Sequence, residues 1–470
     1  MDLGIDRQAL VPVVQQIVSA VTQWIRKNEV SPGTRLPSVR RLALDNLLSQ
    51  SSVIEALERM VAQGLLAHRH GAGFMVAEPP VAHECQWYEG AERDWGDFAD
   101  SPLGELKLGC GWLPEAWHES DDISYAIREV SRTDTAGLFN YSTPLGLPVL
   151  REQLLKRLTH LHIDTRLDCI LTTGGASHAV DLLIRVLLRA GDCVVVETPG
   201  YGNLYRQLAF HGVHLLEVPR TPGGPDIQAL EALLQRHRPK CLFTHSLYHN
   251  PTGSSLCRVV AERLLELARR DDFLIIEEDV YGDLQHATCT RLAALPHEGR
   301  VIYVASFSKT LSSALRVGYL CAEASLIARL ATLKISTGFG TSRFAEAVVS
   351  TLLANGTYRK WVQRLRKRLS TEMAATLQVL EDEEWEVFTV PAGGMFLWAR
   401  PGANAFSRVQ AFARRLGVLL SPGSLFNPTG EYSEWLRINV AYASDQRALA
   451  LMRAVGPARS TSTILKTTGV

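Results

Sequence analysis

The chain has 470 residues, more than a single hydrophobic core ordinarily serves, so two or more domains are expected. Hydrophobic residues make up 46% and charged residues 21%, an ordinary globular balance. Lys and Arg number 49 against 49 Asp and Glu, which excludes a polycation that grips nucleic acid over its whole surface. The eight cysteines are scattered singly with no CxxC pair, so neither a zinc cluster nor a disulfide framework is expected, and no metal site. No apolar run approaches the ~20 residues of a membrane span, and no signal peptide is visible, so a cytoplasmic protein without membrane contact is expected.

Residues 1–77 read as one compact unit. Leu10, Val13, Val14, Ile17, Val21, Trp24 and Ile25 recur at helical spacing and predict an amphipathic first helix. Pro37 and Ser38 open a second helix over 39–44. Ser49 is a good N-cap for a third, which runs to about Gln63 and ends at Gly64. Residues 65–68 and 74–76 are strand-like, with a glycine-containing hairpin tip between them. Residues 78–106 carry Pro79, Pro80, Glu84, Glu89, Glu92, Asp94, Asp97 and Asp100 with little periodicity, and read as an acidic linker.

From 107 onward short apolar strands alternate with amphipathic helices. Strands are predicted over 169–172, 193–197, 241–244, 274–277 and 301–305, with helices including 179–189, 226–236 and 259–269. That alternation implies an α/β fold with a largely parallel sheet. A long basic helix, then strands and helices, forms a smaller α+β lobe up to 455. The Ser/Thr-rich residues 456–470 are expected to be a disordered tail.

Chemistry-bearing residues fall at the predicted strand ends. Gly174-Gly175-Ala176-Ser177 lies between a strand and a helix, where small residues and helix N–H groups suit a phosphate. Tyr201 follows the next strand, and Asn250 the one after. Asp279 ends the apolar run beginning at Leu274, and Lys309 stands in Ser306-Phe307-Ser308-Lys309 just past another strand. Open α/β sheets place ligands at such strand ends. An imine-forming lysine, a carboxylate for a pyridinium nitrogen and an asparagine donor, each about one βα unit apart, converge on the needs of pyridoxal 5′-phosphate.

On these motifs residues 107–455 resemble the fold-type I, aspartate-aminotransferase-like transferases that use pyridoxal phosphate. The resemblance implies that Lys309 forms the imine, that Asp279 pairs with the ring nitrogen, and that Asn250 and Tyr281 bind the ring oxygen. It further implies that Tyr201 stacks on the ring, and that Gly175, Ala176, Ser177, Ser306, Ser308 and Arg316 hold the phosphate. Tyr141 would reach the phosphate of a neighbouring subunit, which implies a homodimer. Arg437, in Leu436-Arg437-Ile438-Asn439, would clamp a substrate carboxylate.

The front unit resembles the winged helix-turn-helix of GntR regulators, on the stretch Pro32-Gly33-Thr34-Arg35-Leu36-Pro37-Ser38-Val39-Arg40. The whole chain is thus similar to MocR-type regulators. By that likeness residues 49–60 form the recognition helix, and Ser49, Gln50, Ser51 and Ser52 meet bases or phosphates of an operator. Arg35, Arg40 and Arg69 would meet phosphates, Ser38 belongs to the matching motif, and His70 and Gly71 sit in the wing tip. The sequence departs from the pattern at Gln50 and Ile54, usually basic, and at Leu47, usually glycine. Residues 1–76 hold eight Lys and Arg against six Asp and Glu, so weak binding per domain is expected.

Three functions remain open at this point. The chain is a regulator that senses an amino acid or pyridoxal phosphate by aldimine formation, a working aminotransferase with a vestigial DNA domain, or a cofactor-storage protein. The effector, the operator and the sign of regulation are not written in the sequence.

Overall fold

A computed structural model describes residues 3–6, 11–28, 30–31, 33–62, 65–69, 73–77, 104–118, 120–134, 139–285, 289–402 and 405–454. The chain divides into two compact units, residues 1–91 and 92–470. The linker residues 78–103, the wing tip 70–72 and the tail 455–470 lie outside the described residues. No helix among the described residues is long and apolar enough to cross a membrane.

In the first unit, α1 spans Val13–Lys27, α2 Val39–Asp45 and α3 Gln50–Ala62, followed by β1 Leu66–Arg69 and β2 Gly73–Val76. Ile17, Val21, Leu42, Val53, Leu57 and Met60 form its core. Ser38 caps α2 by accepting from Arg41 N, and Ser49 accepts from Ser52 N at 3.1 Å. β1 and β2 pair antiparallel, and residues 33–36 add to the edge of β2: Leu36 N donates to Phe74 O at 2.9 Å, and Arg35 lies opposite Met75. Between α2 and α3, Leu47 adopts φ +54°. This is the left-handed geometry that makes glycine common there, and a leucine meets a steric cost.

The second unit begins with α4 (Ser120–Thr133) and α5 (Pro148–His160). Then follow β3 (Ile170–Thr173), α6 (Ala176–Leu187), β4 (Cys193–Thr198), α7 (Gly202–Phe210), β5 (His214–Thr221), β6 (Gly224–Pro225), α8 (Ile227–Arg236), β7 (Cys241–His245), α9 (Arg258–Arg270), β8 (Leu274–Glu278), β9 (Val301–Ser306) and β10 (Gly318–Cys321). They build an eight-stranded sheet in the order β3-β10-β9-β8-β7-β4-β5-β6. β5, β4, β7, β8 and β9 are parallel, while β10 runs antiparallel to both neighbours. Apolar cores cover both faces, with Ile276, Ile302 and Val304 on one and Ile275, Tyr303 and Ala305 on the other.

Helices α10 (Ala324–Gly338), α11 (Arg343–Ala354) and α12 (Thr357–Asp382) lead into the terminal lobe. There β11 (Glu386–Val387), β12 (Phe396–Arg400), β13 (Ser421–Pro422) and β14 (Leu436–Asn439) form an antiparallel sheet ordered β11-β12-β14-β13, flanked by α13 (Phe406–Leu416) and α14 (Gln446–Arg453). Leu106, expected to end the linker, is already buried and donates to Gly417 O at 2.8 Å.

The sequence reading missed β5 and β10. β5, HLLEVPRT, has neither a continuous apolar run nor strict alternation, and β10 is four residues that open on glycine. β10 is recognisable only by the two strands that it fills between.

Candidate active site

A cavity of about 640 Å³ opens at the carboxyl ends of the parallel strands. Ala176 and Ser177 reach it from the start of α6, Tyr201 from beyond β4, and His245 and Asn250 from β7. Glu278, Val280 and Tyr281 come from β8, and Ser306, Ser308 and Lys309 from β9. Ser313, Ala314 and Arg316 enter from the following loop, Gly111 and Trp112 from the start of the unit, and Phe426 and Arg437 from the terminal lobe. Lys309, Asn250, Tyr201, Tyr281, Arg316 and Arg437, separated by up to 236 positions in sequence, therefore share one space.

Lys309 Nζ donates to Gly111 O at 2.8 Å. Burial first, then the positive charges of Arg437 and Arg316, push its pKa down to about 8. Arg437 is buried, with Nε and Nη2 donating to Gly109 O at 3.0 and 2.7 Å and Nη1 to Asn250 Oδ1 at 2.8 Å. Its guanidinium lies between the rings of Phe396 and Phe426, 4.9 and 4.7 Å from their centroids. The Gly111 Cα faces both cations: a Cβ there would stand 3.8 Å, ordinary contact distance, from Lys309 Nζ and from Arg437.

Around Gly175 and Arg316 the backbone approaches closely and leaves a candidate anion cradle. Gly175 has φ +87°, and a Cβ there would press on Arg316 Nη2 at 2.5 Å. A Cβ on Gly318 would meet the Gly175 backbone at 2.7 Å. Arg316, itself at φ +49°, donates to Gly174 O at 2.9 Å and Ser308 Oγ at 3.2 Å. Ser308 N donates to Ser306 Oγ. The first turn of α6 offers N–H groups to an anion beside this arginine. Gly175 itself lies behind Arg316 rather than in the cavity lining.

The carboxylates of β8 face in different directions. Side chains alternate across a strand, so neighbours face opposite ways. Glu277 and Asp279 turn to one face. Glu277 accepts from Ser246 and from Leu292 N and Ala293 N, both at 2.8 Å. Asp279 Oδ2 accepts from Arg291 Nε at 2.6 Å and Tyr303 Oη at 2.7 Å, while Oδ1 is fully buried against Gly282. The residue that enters the cavity wall is Glu278, which the sequence reading passed over. It is 5% exposed, and its side chain forms neither hydrogen bond nor ion pair among the described residues. Burial, and then Glu197, push its pKa up to about 7.

Behind the cavity a buried network ties β4, β5 and β7 together. Glu197 accepts from Arg220 Nη1 at 3.0 and 2.8 Å, from Thr244, and from His249 Nε2 at 3.0 Å. Burial alone would raise its pKa; Arg220 and His249 overcome that and hold it down to about 2. Burial lowers His249 to about 4 and His245 to about 3, so both rings are neutral at ordinary pH. His245 is also one of the cavity residues.

Tyr141 does not line the cavity of its own chain. It is 77% exposed and stacks on Phe339 at 5.6 Å. In the front unit, Arg35, Ser38, Arg40, Ser49, Gln50 and Ser51 are exposed and Ser52 half-buried. Ser49 Oγ is shared with Ser51 and Ser52 at 3.0 and 2.7 Å, which fixes the start of α3. Arg69 lies in β1, but its side chain, with His70 and Gly71, falls outside the described residues. No group of three metal-binding side chains occurs among the described residues.

The residues present fit pyridoxal phosphate: a half-buried lysine amine, a glycine–arginine anion cradle, an aromatic wall and an unpartnered carboxylate share one cavity. Comparison with known proteins agrees. The family described as Aminotransferase class I and II matches residues 105–455, and the bacterial regulatory proteins of the gntR family match residues 13–76. The chain is 27% identical over 470 residues to YisV of Bacillus subtilis (strain 168), an uncharacterized HTH-type transcriptional regulator, covering 93% of this chain and 94% of that protein. Pyrococcus horikoshii kynurenine aminotransferase superposes with a TM-score of 0.71 at 28% identity, over 76% of this chain and 91% of that one. LysN, an alpha-aminoadipate aminotransferase from Thermus thermophilus complexed with N-(5'-phosphopyridoxyl)-L-leucine, gives 0.68 at 27%, over 76% and 94%.

Proposed function

The chain belongs to the aminotransferase class I and II family and carries a gntR-type domain ahead of that fold, and from this premise we propose a transcriptional regulator that reads an amino acid through pyridoxal phosphate. One observation carries the reading. A DNA-binding helix-turn-helix unit and a cavity holding both Lys309 and Arg437 occupy one chain.

Each side chain has a task that follows from its surroundings. The first turn of α6 with Arg316, Ser306 and Ser308 would hold the phosphate. Tyr201 would lie against the ring, and Tyr281 would reach its oxygen. Asn250, whose Oδ1 is held by Arg437, keeps its amide N–H groups as donors for the same oxygen. When bound, pyridoxal phosphate supplies a carbonyl carbon for an amine and an aromatic system that draws electrons from it. Lys309, with a pKa near 8, holds a substantial neutral fraction at physiological pH and can take or give a proton at Nζ. Arg437 presents a planar fork suited to a carboxylate. Phe396 and Phe426 orient that fork and keep water from it.

In the front unit, α3 would enter the major groove by its amino end, with Gln50, Ser51 and Ser52 toward the bases and Arg35 and Arg40 toward phosphates. The small positive charge makes one copy a weak binder, so two copies acting on two half-sites supply the affinity. Tyr141 and Phe339, exposed together, support a homodimer in which Tyr141 serves the partner's cavity.

A second reading, a working aminotransferase, is favoured by the tuned amine of Lys309 beside Arg437. One experiment separates the two. The pyridoxal-phosphate-loaded chain is mixed with an amino-acid panel while cofactor absorbance and binding to DNA upstream of its own gene are followed. A regulator changes DNA affinity with an amino acid that is not consumed. Repeated turnover with α-keto-acid release, and DNA binding that no amino acid alters, would sink the sensing role. An absence of salt-sensitive DNA binding would sink the regulator.

A further inference from the structure

Three carboxylates stand in a row at the end of β8, and their surroundings differ. Glu277 is saturated by Ser246 and two backbone N–H groups. Asp279 is held through one oxygen by Arg291 and Tyr303 on the same face; its second oxygen is buried without a hydrogen-bond partner, and Asp279 is not among the cavity residues. The missing Cβ of Gly282 makes room for that carboxylate, since any side chain there would collide with it. Glu278 turns the other way. It lines the cavity, is 5% exposed and has no hydrogen-bonding or ion-pair partner among the described residues. Its register neighbour on β7 is His245, another cavity residue.

Leaving a carboxylate buried and unpartnered is costly, and such groups persist where something pairs with them. From this geometry we infer that Glu278, not Asp279, is the carboxylate that meets the ring nitrogen of pyridoxal phosphate, while Asp279 braces the strand end through Arg291 and Tyr303. The inference rests on the proposed cofactor site and goes beyond it. A glutamate reaches one methylene farther than an aspartate from the same backbone position. Its unusually high pKa gives it a proton to share when the cavity is empty, and a protonated ring nitrogen would restore its charge.

The test uses full-length protein and two probes: pyridoxal phosphate, and its analogue with the ring nitrogen replaced by C–H. Affinity is read from the visible absorbance of the bound aldehyde. Stability is read from thermal unfolding of the cofactor-free chain. The wild type should prefer pyridoxal phosphate by roughly ten- to hundredfold, the scale of a charged hydrogen bond. E278Q should lose that preference, bind the analogue within about threefold of wild type and melt, cofactor-free, no lower than wild type. E278D should recover part of the preference, which a merely destabilised variant would not. D279N should melt lower yet retain the wild-type preference. A full preference in E278Q, or its loss in D279N alone, overturns the assignment. A wild-type chain that takes up neither probe overturns the cofactor site itself, and this inference with it.

Discussion

The two units handle polar side chains in opposite ways. In the front unit the functional candidates are exposed, and their positions follow from local rules: Ser38 and Ser49 cap helices, and residues 33–36 lie along β2. In the large unit Asn250, Asp279, Tyr281 and Arg437 are buried, and Lys309 and Arg437 are held by residues distant in sequence. Arg437 reaches Asn250 across 187 positions and Gly109 across 328. Exposed charges act through water and salt, so single changes there are mild. Buried charges act at low dielectric, where removing one partner leaves the other stranded.

The largest expected effect lies at the Lys309 amine. Lys309→Ala should abolish the visible absorbance of lysine-bound cofactor while far-ultraviolet circular dichroism stays unchanged; a surviving band would show that another amine holds the group. Next comes the buried ion pair. Arg220→Ala should cost about 3–5 kcal/mol in urea unfolding at pH 7, because Glu197 is left unpaired. A loss below about 1 kcal/mol, the scale of a surface pair, would erase the contrast drawn here.

Glu278 gives a pH test. Its folded pKa, about 7, lies above the usual value of 4.5, so the fold binds the proton more tightly than the unfolded chain does. Its contribution is present below pH 4.5 and lost as pH rises through 7. Cofactor-free E278Q should therefore exceed wild type by about 3 kcal/mol at pH 8 and by less than about 1 kcal/mol at pH 5. A gain independent of pH would show that Glu278 is not buried as described. Glu197 has the opposite sign: its stabilisation is complete above pH 4.5 and is lost as pH falls toward 2.

Effects in the front unit should be smaller. Arg35→Ala should weaken DNA binding several-fold on every sequence and lower the salt slope by about one; Gln50→Lys should do the reverse. A change confined to one operator position would instead make Arg35 a base reader. Leu47→Gly, which removes a side chain from φ +54°, should stabilise the front unit by about 0.5–1 kcal/mol in thermal unfolding.

Much of this molecule is legible in its sequence, for reasons that can be named. Helix caps, turn glycines and apolar periodicity are local, so α1, α2 and α3 and the hairpin of β1 and β2 were read within a few residues. The parallel strands β4, β7, β8 and β9 announce themselves as apolar runs, and their spacing alone brought Asn250 and Lys309 to one crevice. The unnatural backbone at Leu47 was visible as a departure from the usual glycine. What the sequence leaves open is local orientation. Glu277, Glu278 and Asp279 are three acids in a row, and nothing in their identities says which one the strand turns toward the cavity.

Sequence by itself thus determined the two-unit plan and the strand ends at which Asn250 and Lys309 share one cavity, because these depend on pattern and chain length. Only the tertiary structure decided that Glu278 enters the cavity wall while Asp279 turns to Arg291 and Tyr303, that Gly111 and His245 belong to the site, and that Tyr141 does not line its own chain's cavity. The physical reason is that a strand sends neighbouring side chains to opposite faces, and the face that becomes a cavity is set by distant residues: Arg291, Tyr303 and the lobe that brings Arg437.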